Sequence, residues 1–178
     1  MDTDAVDASR PPQAGAAFLL AQLGAHAAEL FAQRIVRLDL TPAQAGLLRL
    51  LAQTPGRSQR ELADVLGMPP SRFVPFADDL ERRGLLERRK NPGDRRLHAL
   101  FLTEDGAELL SRLRVEAAAH EKQMCAALAP SEHQELTGLL RRLAQQQGLS
   151  PGIHPGYRSM RTSSTSTAGR PAPDQSTA

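Results

Sequence analysis

Leucine and alanine recur at intervals of three and four along most of the chain, which is the spacing of residues on one face of an α-helix. The first such run predicts a helix over residues 13–38, with one face formed by Leu20, Leu23, Ala27, Leu30, Arg34 and Leu38. A long run over residues 103–128 and a final run over residues 132–147 repeat the pattern. The chain is therefore predicted to be mainly α-helical.

Signals for helix starts and helix ends divide the middle of the chain. A capping box is a serine or threonine followed three residues later by glutamate or glutamine, and it marks the first turn of a helix. It occurs at Thr41, Ser58 and Ser131. Gly67 and Gly84 are the expected ends of the third and fourth helices. The helices predicted here span residues 42–53, 59–66 and 71–83, and the last two form a helix-turn-helix pattern.

The helical periodicity stops after Gly84 and gives way to two short segments of strand length. Residues 85–90 and 97–102 are joined by the turn sequence NPGD, which starts at residue 91. Proline presets the second position of a tight turn, and glycine tolerates the positive φ of the third. We therefore expect a basic β-hairpin. The predicted fold class is mainly α with a small β-hairpin wing.

The helices at the two ends of this fold carry more leucine than one small domain can bury. A leucine stripe of heptad spacing needs a partner helix, and a second copy of the chain supplies one with two-fold symmetry. We therefore expect a homodimer. The predicted order is a disordered N-terminus over residues 1–12, a dimerisation helix over 13–40, a winged helix-turn-helix domain over 41–103, dimerisation helices over 104–147 and a disordered tail over 148–178.

The positive charge of the chain is concentrated near the hairpin. Residues 57–96 contain ten Lys and Arg against seven Asp and Glu, although the net charge of the whole chain is only +2. Within residues 81–96 the count is seven against three. A local basic patch is typical of a polyanion partner such as nucleic acid. A solvated basic face is the alternative that charge alone leaves open.

Several classes of protein are not favoured by the sequence. No apolar run approaches the roughly 20 residues that cross a membrane, and the polar, acidic N-terminus is unlike a signal peptide. We therefore expect a cytoplasmic protein with no membrane partner. A single cysteine, Cys125, excludes an intrachain disulfide and a multi-cysteine zinc site.

The sequence offers no catalytic constellation, so we expect no enzyme and no cofactor. It contains no glycine-rich phosphate loop and no GxSxG motif, and its five histidines form no i,i+4 pair. We therefore expect no metal site, with His120 and Cys125 serving as packed residues. An enzyme that uses the basic patch to bind an anionic substrate remains the alternative from another class.

Three segments of the chain resemble the MarR family of bacterial transcription regulators. They are LTPAQAGLLRLL, then SQRELADVLGMPPSRFVPFADDLERRGLLERR, then NPGDRRLHALFLTEDG. The resemblance covers about residues 13–147. It implies a homodimer, more often a repressor, that binds a near-palindromic operator in double-stranded DNA. It also implies a small-molecule effector in a crevice beside the dimer helices, where the polar candidates are His26, Arg34, Arg49 and His120.

The fourth helix is the recognition helix that the resemblance implies. Its outer face carries Ser71, Arg72 and Pro75, and an α-helix fits the major groove of DNA. Arg72 is expected to contact a base or a phosphate, and Ser71 lies where a helix N-terminus favours phosphate. Pro75 departs from an ordinary helix, because proline lacks the amide donor. We place Ser58 and Gln59, at the start of the third helix, in the same interface.

The hairpin is the wing that the resemblance implies. Arg96 is expected to enter the minor groove, and Asp94 to hold an arginine through a charge-assisted hydrogen bond. Arg88, Arg89 and Arg95 are expected near phosphates, together with Lys90. Two alternatives remain: an Asp–Arg pair that only stiffens the turn, or a winged-helix protein-interaction module without DNA binding.

Overall fold

The computed structural model describes residues 15–90 and 98–154. Its helices over these ranges are α1 (Ala16–Ile35), a 3-10 helix (Val36–Leu38), α2 (Pro42–Gln53), α3 (Gln59–Leu66), α4 (Pro70–Arg82), α5 (Glu104–Met124) and α6 (Pro130–Gln146). Two antiparallel strands, β1 (Leu86–Lys90) and β2 (His98–Leu102), lie between α4 and α5. The mainly α-helical fold with a small hairpin is confirmed. Residues 1–12 and most of the predicted tail lie outside the described residues.

The capping boxes at Thr41 and Ser58 form as the sequence predicts. The backbone N–H of Gln44 donates to Thr41 Oγ1 at 3.3 Å, and the N–H of Thr41 donates to Gln44 Oε1 at 2.8 Å. Glu61 and Ser58 make the same reciprocal pair, at 3.3 and 2.8 Å. Each box satisfies N–H groups that have no partner within the helix. These two contacts therefore fix where the helix-turn-helix begins.

The predicted capping box at Ser131 is wrong. Pro130 occupies the first helical position, so α6 begins one residue before Ser131. The carboxylate of Glu132 reaches back to accept from the N–H of Ala129 at 2.7 Å. The reason is that proline presets the helical φ at the first position, which moves the start of α6 towards the N-terminus. The predicted end of α5 is also too late, because the helix stops at Met124.

The hairpin is attached to the start of α3 by backbone hydrogen bonds. Strand β1 pairs with β2 in a register that sets Leu86 opposite Leu102, and Ser58 makes an isolated bridge to Ala99. The N–H of Gly56 donates to the carbonyl of Leu100 at 3.1 Å, and the N–H of Leu100 donates to the carbonyl of Arg57 at 3.0 Å. The hairpin base therefore has a fixed position relative to the helix-turn-helix.

The core lies between the helix-turn-helix, the hairpin and the first half of α5. Its largest fully buried side chains are Phe73, Ile35, Leu47, Leu48, Leu51, Leu62, Leu66, Leu80, Leu86 and Leu100. Phe73, Ala77 and Leu80 form the inner face of α4, as predicted, whereas Phe76 is only half-buried. The opposite face of α4 is consequently turned to solvent.

The junction between the hairpin and α5 allows no side chain at Gly106. A Cβ atom placed on Gly106 lies 1.9 Å from the carbonyl oxygen of Leu85, far inside van der Waals contact. Thr103 caps α5 by accepting from the N–H of Gly106 at 3.0 Å, and its hydroxyl donates to the carbonyl of Gly84 at 2.6 Å. Glycine at this position therefore lets the first turn of α5 touch the backbone that leads into β1.

Helices α1 and α6 leave large apolar side chains in solvent. Within α1 only Ile35 is buried, and α6 has no buried residue. The exposed apolar side chains of the two helices are Phe18, Leu19, Leu20 and Leu23 of α1, with Leu136, Leu139, Leu140 and Leu143 of α6. Among residues 15–90 and 98–154, no helix is both long and apolar enough to cross a membrane.

The first residues after α6 are ordered against the domain. Residues 148–154 belong to the tail that we predicted to be disordered, yet Ile153 packs against the core and the Cβ position of Gly152 lies 3.4 Å from the Arg49 guanidinium. Ile153 supplies the anchor, whereas Leu149, the other large apolar residue of this segment, is exposed.

Candidate DNA interface

The outer face of α4 presents the residues that the helical periodicity predicts. Ser71, Val74 and Pro75 are exposed, and Arg72 is half-buried. Because α4 begins at Pro70, Ser71 is the second helical residue, within the turn whose N–H groups point out of the helix. The helix continues through Pro75 to Arg82, so this proline does not end it. The face is therefore one continuous helical surface of suitable width for a major groove.

Ser58 and Gln59 are less accessible than predicted. Ser58 is only 7% exposed, and its hydroxyl donates to the Glu61 carboxylate at 2.7 Å. The hydrogen bonds from Ser58, first from its side chain and then from its backbone, hold the pKa of Glu61 below the ordinary value. Gln59 is half-buried, with its amide oxygen 3.5 Å from an Arg88 nitrogen. The enclosed hydroxyl of Ser58 argues against the DNA contact that we predicted for it.

Arg88 binds two carboxylates of α4 instead of facing solvent. Its guanidinium makes ion pairs with Asp78 and Glu81, and its side chain is 16% exposed. These two acids lie three residues apart and so share one face of α4. Arg88 therefore joins β1 to the second half of α4. This pairing does not support the predicted contact of the Arg88 guanidinium with phosphate.

Arg89 and Lys90 lie at the outer end of β1, and both are exposed. The Arg89 guanidinium lies over the Phe101 ring, 4.8 Å from its centroid, and also pairs with Glu87. A cation–π contact of this kind orients an arginine without removing it from solvent. The predicted wing-tip residues Asp94, Arg95 and Arg96 lie outside the described residues.

A cleft that the sequence did not indicate separates α3, α4 and β2. It has a volume of about 560 Å³, and its lining includes Arg60 and His98 beside Gln59 and Val74. Arg60 and His98 are both exposed. Neither was a predicted site residue, because no helix or strand periodicity links positions on three separate elements. The cleft adds two polar side chains to the surface that includes the outer face of α4.

A second, smaller cavity lies between α1, α2 and α5. It measures about 100 Å³ and is lined by Phe31, Ala45, Gly46, Arg49, Leu110, Leu113, Arg114 and Ala117. Of the four predicted effector candidates, only Arg49 lines it. Arg114 was not a predicted candidate, although a helical wheel of α5 places it one turn from Leu110. The two arginines give an otherwise apolar cavity a positive charge.

The other three effector candidates have different surroundings. His26 is exposed, and Arg34 pairs with Glu116 at 3.5 Å. The ring of His120 lies 5.5 Å from the ring of Phe31. Burial, followed by the nearby charge of Arg34, lowers the pKa of His120, so the neutral form is favoured. His120 therefore packs as a neutral ring, in agreement with the structural interpretation of the sequence.

The corner between α5 and α6 brings three metal-ligating side chains together. Ligand atoms of Glu121, Cys125 and His133 all lie within 4.8 Å of one another. The spacing of the histidines along the sequence did not indicate this cluster, because His133 lies on α6 and Glu121 on α5. Cys125 is half-buried. Burial, and then the Glu121 charge, raises the pKa of its thiol, which disfavours a free reactive thiolate.

Comparison with known proteins agrees with this geometry. The model of the MarR family matches residues 38–97. A putative transcriptional regulatory protein for the hcr operon of Thauera aromatica is 34% identical over 122 residues, which are 68% of this chain and 74% of that protein. The chain belongs to the MarR family. It is a transcriptional regulator and not an enzyme, and its hairpin is the wing of that fold.

Solved structures of family members match the same part of the chain. The transcriptional repressor CouR bound to a 23-mer DNA duplex is 35% identical, with a TM-score of 0.65 over 73% of this chain and 92% of that one. CouR bound to p-coumaroyl-CoA is 32% identical, with a TM-score of 0.61 over 74% of this chain and 93% of that one. Both DNA and a small molecule are thus bound by a MarR protein of similar fold.

Proposed function

We propose that this MarR regulator is a homodimeric repressor that binds a near-palindromic operator and is released by a small-molecule effector. The observation that carries the proposal is the outer face of α4, a continuous helical surface flanked by a basic hairpin. A protein that acts on DNA in this way works in the cytoplasm of a bacterium.

The recognition helix supplies the contacts that distinguish one operator from another. In the proposed complex α4 lies in the major groove, with Arg72 and Pro75 towards the bases and Ser71 towards a phosphate. Arg96 enters the minor groove and is oriented by Asp94. Arg89, Lys90 and Arg95 bind the phosphates on either side. Arg88 holds the angle between β1 and α4, so it acts through the position of the helix.

The exposed apolar side chains of α1 and α6 support a homodimer. Leucines on α6 recur at intervals of three and four, and each of the four from Leu136 to Leu143 is at least 38% exposed. Contiguous apolar surface of this kind normally marks an interface. A two-fold axis through these helices presents two copies of α4. Successive major grooves on one side of a duplex are about 34 Å apart, which sets the half-site spacing.

The cavity between α1, α2 and α5 supports an effector with an apolar body and an anionic group. Arg49 and Arg114 supply charge, while Phe31 and the leucines of α5 supply apolar surface. A volume of about 100 Å³ is below that of most complete ligand sites, so only part of a larger molecule fits inside. Because the cavity lies where α1 meets the DNA-binding domain, a ligand there favours one spacing of the two recognition helices over another.

The test is DNA binding by full-length protein after selection of duplexes from a random pool. Selected sequences should be near-palindromic, and Arg96→Ala and Arg72→Ala should weaken binding by about 1–3 kcal/mol if each contacts a base. Replacing a residue that contacts only phosphate should instead reduce the magnitude of the slope of log affinity against log salt by about one. Arg112→Ala, on the exposed surface of α5, is the control that removes the same charge elsewhere.

Two results would contradict the proposal. One is equal affinity for selected and random duplexes at physiological ionic strength. The other is a monomer in sedimentation at the concentrations used for DNA binding. If neither the parent protein nor any of the three arginine variants binds a duplex, the result favours the protein-interaction module.

A further inference from the structure

The last turn of α5 and the first turn of α6 face each other across a five-residue connection. Glu121 lies in the last turn of α5, and Cys125, four residues later, is the residue that caps its C-terminal end; residues at this spacing lie on one side of a helix. His133 approaches them from α6, and the N–H of Leu128 donates to the carbonyl of Cys125 at 3.0 Å to close the turn between the helices. Three different donor atoms, an oxygen, a sulfur and a nitrogen, therefore converge from two helices.

These donor atoms lie close enough together to share one metal ion once the closest pair moves apart. His133 Nε2 lies 2.6 Å from Glu121 Oε1, and Cys125 Sγ lies 3.9 Å from the same oxygen. Bonds of about 2.0–2.3 Å to a central Zn²⁺ place neighbouring ligands roughly 3.3–3.8 Å apart. Small movements of the side-chain ends satisfy that spacing, because Glu121 is exposed and the other two residues are half-buried.

We propose that Glu121, Cys125 and His133 bind a divalent transition metal of the Zn²⁺ class, with solvent as the fourth ligand. The donor set decides the class. Thiolate and imidazole suit Zn²⁺ and its neighbours, whereas Mg²⁺ and Ca²⁺ prefer oxygen donors alone. A cleft of about 680 Å³ lies beside the three residues, and it leaves room for the fourth ligand.

The site links α5 to α6. No residue of α6 is buried, and the described contacts between the end of α5 and the start of α6 include the His133–Glu121 pair. A metal bound to both helices fixes the direction in which α6 leaves α5. The exposed leucines of α6 are then presented in one orientation, so metal binding should raise the thermal stability of the chain.

The first experiment is a Co²⁺ titration of full-length, reduced protein, followed by absorption spectroscopy. Cys125 is the one cysteine of the sequence, so a thiolate-to-Co²⁺ charge-transfer band reports this residue alone. We expect one Co²⁺ per chain, the tetrahedral d–d bands, and displacement by Zn²⁺. Glu121 and His133 can also pair through a shared proton, without any metal. The thiolate-to-Co²⁺ band distinguishes metal binding from that hydrogen bond.

Variants of the three ligands test the assignment. Loss of a residue that only supports a ligand commonly lowers metal affinity by about 10–100-fold. Cys125→Ser should therefore remove the band and weaken Zn²⁺ binding by roughly 100-fold or more, and His133→Gln and Glu121→Gln should each weaken it by at least about 10-fold. His26→Gln, at an exposed position of α1, is the matched histidine control and should bind as the parent protein does.

The proposal is overturned if the parent protein shows no thiolate band, or if Zn²⁺ affinity is the same with and without Cys125. It is also overturned by one metal per two chains, which indicates a bridge between two Cys125 residues. Circular dichroism of each metal-free variant verifies that the fold is intact. DNA binding is not a readout of this experiment, so its result is independent of the proposed operator function.

Discussion

Gly106→Ala should destabilise the junction between the wing and α5. The added Cβ atom lies 1.9 Å from the Leu85 carbonyl oxygen and 3.3 Å from a methyl carbon of Leu102. A carbon and a carbonyl oxygen in contact are normally about 3.3 Å apart. The first turn of α5 therefore has to move by roughly 1.4 Å, or the backbone before β1 has to give way by the same amount.

The loss of unfolding free energy follows from the contacts that this movement disturbs. Forcing extra carbon into a packed site costs about 1–3 kcal/mol, and the clash with a backbone atom favours the upper end. The movement also lengthens the 3.0 Å cap from the Gly106 N–H to Thr103 Oγ1, a contact worth about 1 kcal/mol. Alanine recovers about 1 kcal/mol of helix propensity relative to glycine. The net loss of unfolding free energy is therefore about 3 kcal/mol.

Urea unfolding followed by circular dichroism measures this loss, at one fixed protein concentration because the proposed dimer makes stability depend on concentration. Gly138→Ala is the control, since a Cβ atom there meets nothing within 4 Å and the position lies inside α6. That variant should be unchanged or more stable by up to about 1 kcal/mol. The reasoning is refuted if Gly106→Ala unfolds within about 1 kcal/mol of the parent protein.

Two further predictions concern the interface. Ser58→Ala removes the side-chain hydrogen bond that contributes most to lowering the pKa of Glu61, while the backbone N–H of residue 58 still donates to that carboxylate. Carboxyl NMR titration should therefore find this pKa nearer its ordinary value. Since a lowered pKa stabilises the fold above the unfolded-state pKa and that contribution is lost as pH falls, the parent protein should lose more stability than the variant on acidification. Arg88→Met leaves two carboxylates without their cation, so we expect about 1–2 kcal/mol less stability and weaker operator binding. Arg112→Met should change neither, and equal behaviour of the two variants in urea and DNA titrations would contradict the role of Arg88.

Local sequence signals predicted much of the helix-turn-helix. The capping boxes at Thr41 and Ser58 formed because both partners lie within one helical turn, where few alternatives compete. The buried face of α4 followed from the three-and-four spacing of Phe73, Ala77 and Leu80, which is a property of the helix itself. At Ser131 the same motif failed because the neighbouring proline defined the helix start more strongly.

Contacts between elements that lie far apart along the chain could not be predicted from the sequence. The pairing of Arg88 with α4 depends on which face of β1 meets the helix, and one residue of register reverses that choice. Ser58 carries a polar side chain yet is enclosed where it bridges to Ala99. The cluster of Glu121 with His133 depends on the angle between two helices, which no spacing along the chain encodes.

The ion pairs of the arginines reduce the positive charge that the basic patch offers to a polyanion. Counting charges over residues 81–96 gives a large positive excess, but Arg88 is held by two carboxylates and Arg89 by one. A cation already balanced by a protein carboxylate releases few counterions when it approaches a phosphate. The ion pairs of Arg88 and Arg89 therefore make the positive charge available to a phosphate smaller than the count over residues 81–96 suggests. The ion pairs of Arg88 with Asp78 and Glu81 instead hold β1 against α4, which fixes the direction of the hairpin relative to that helix.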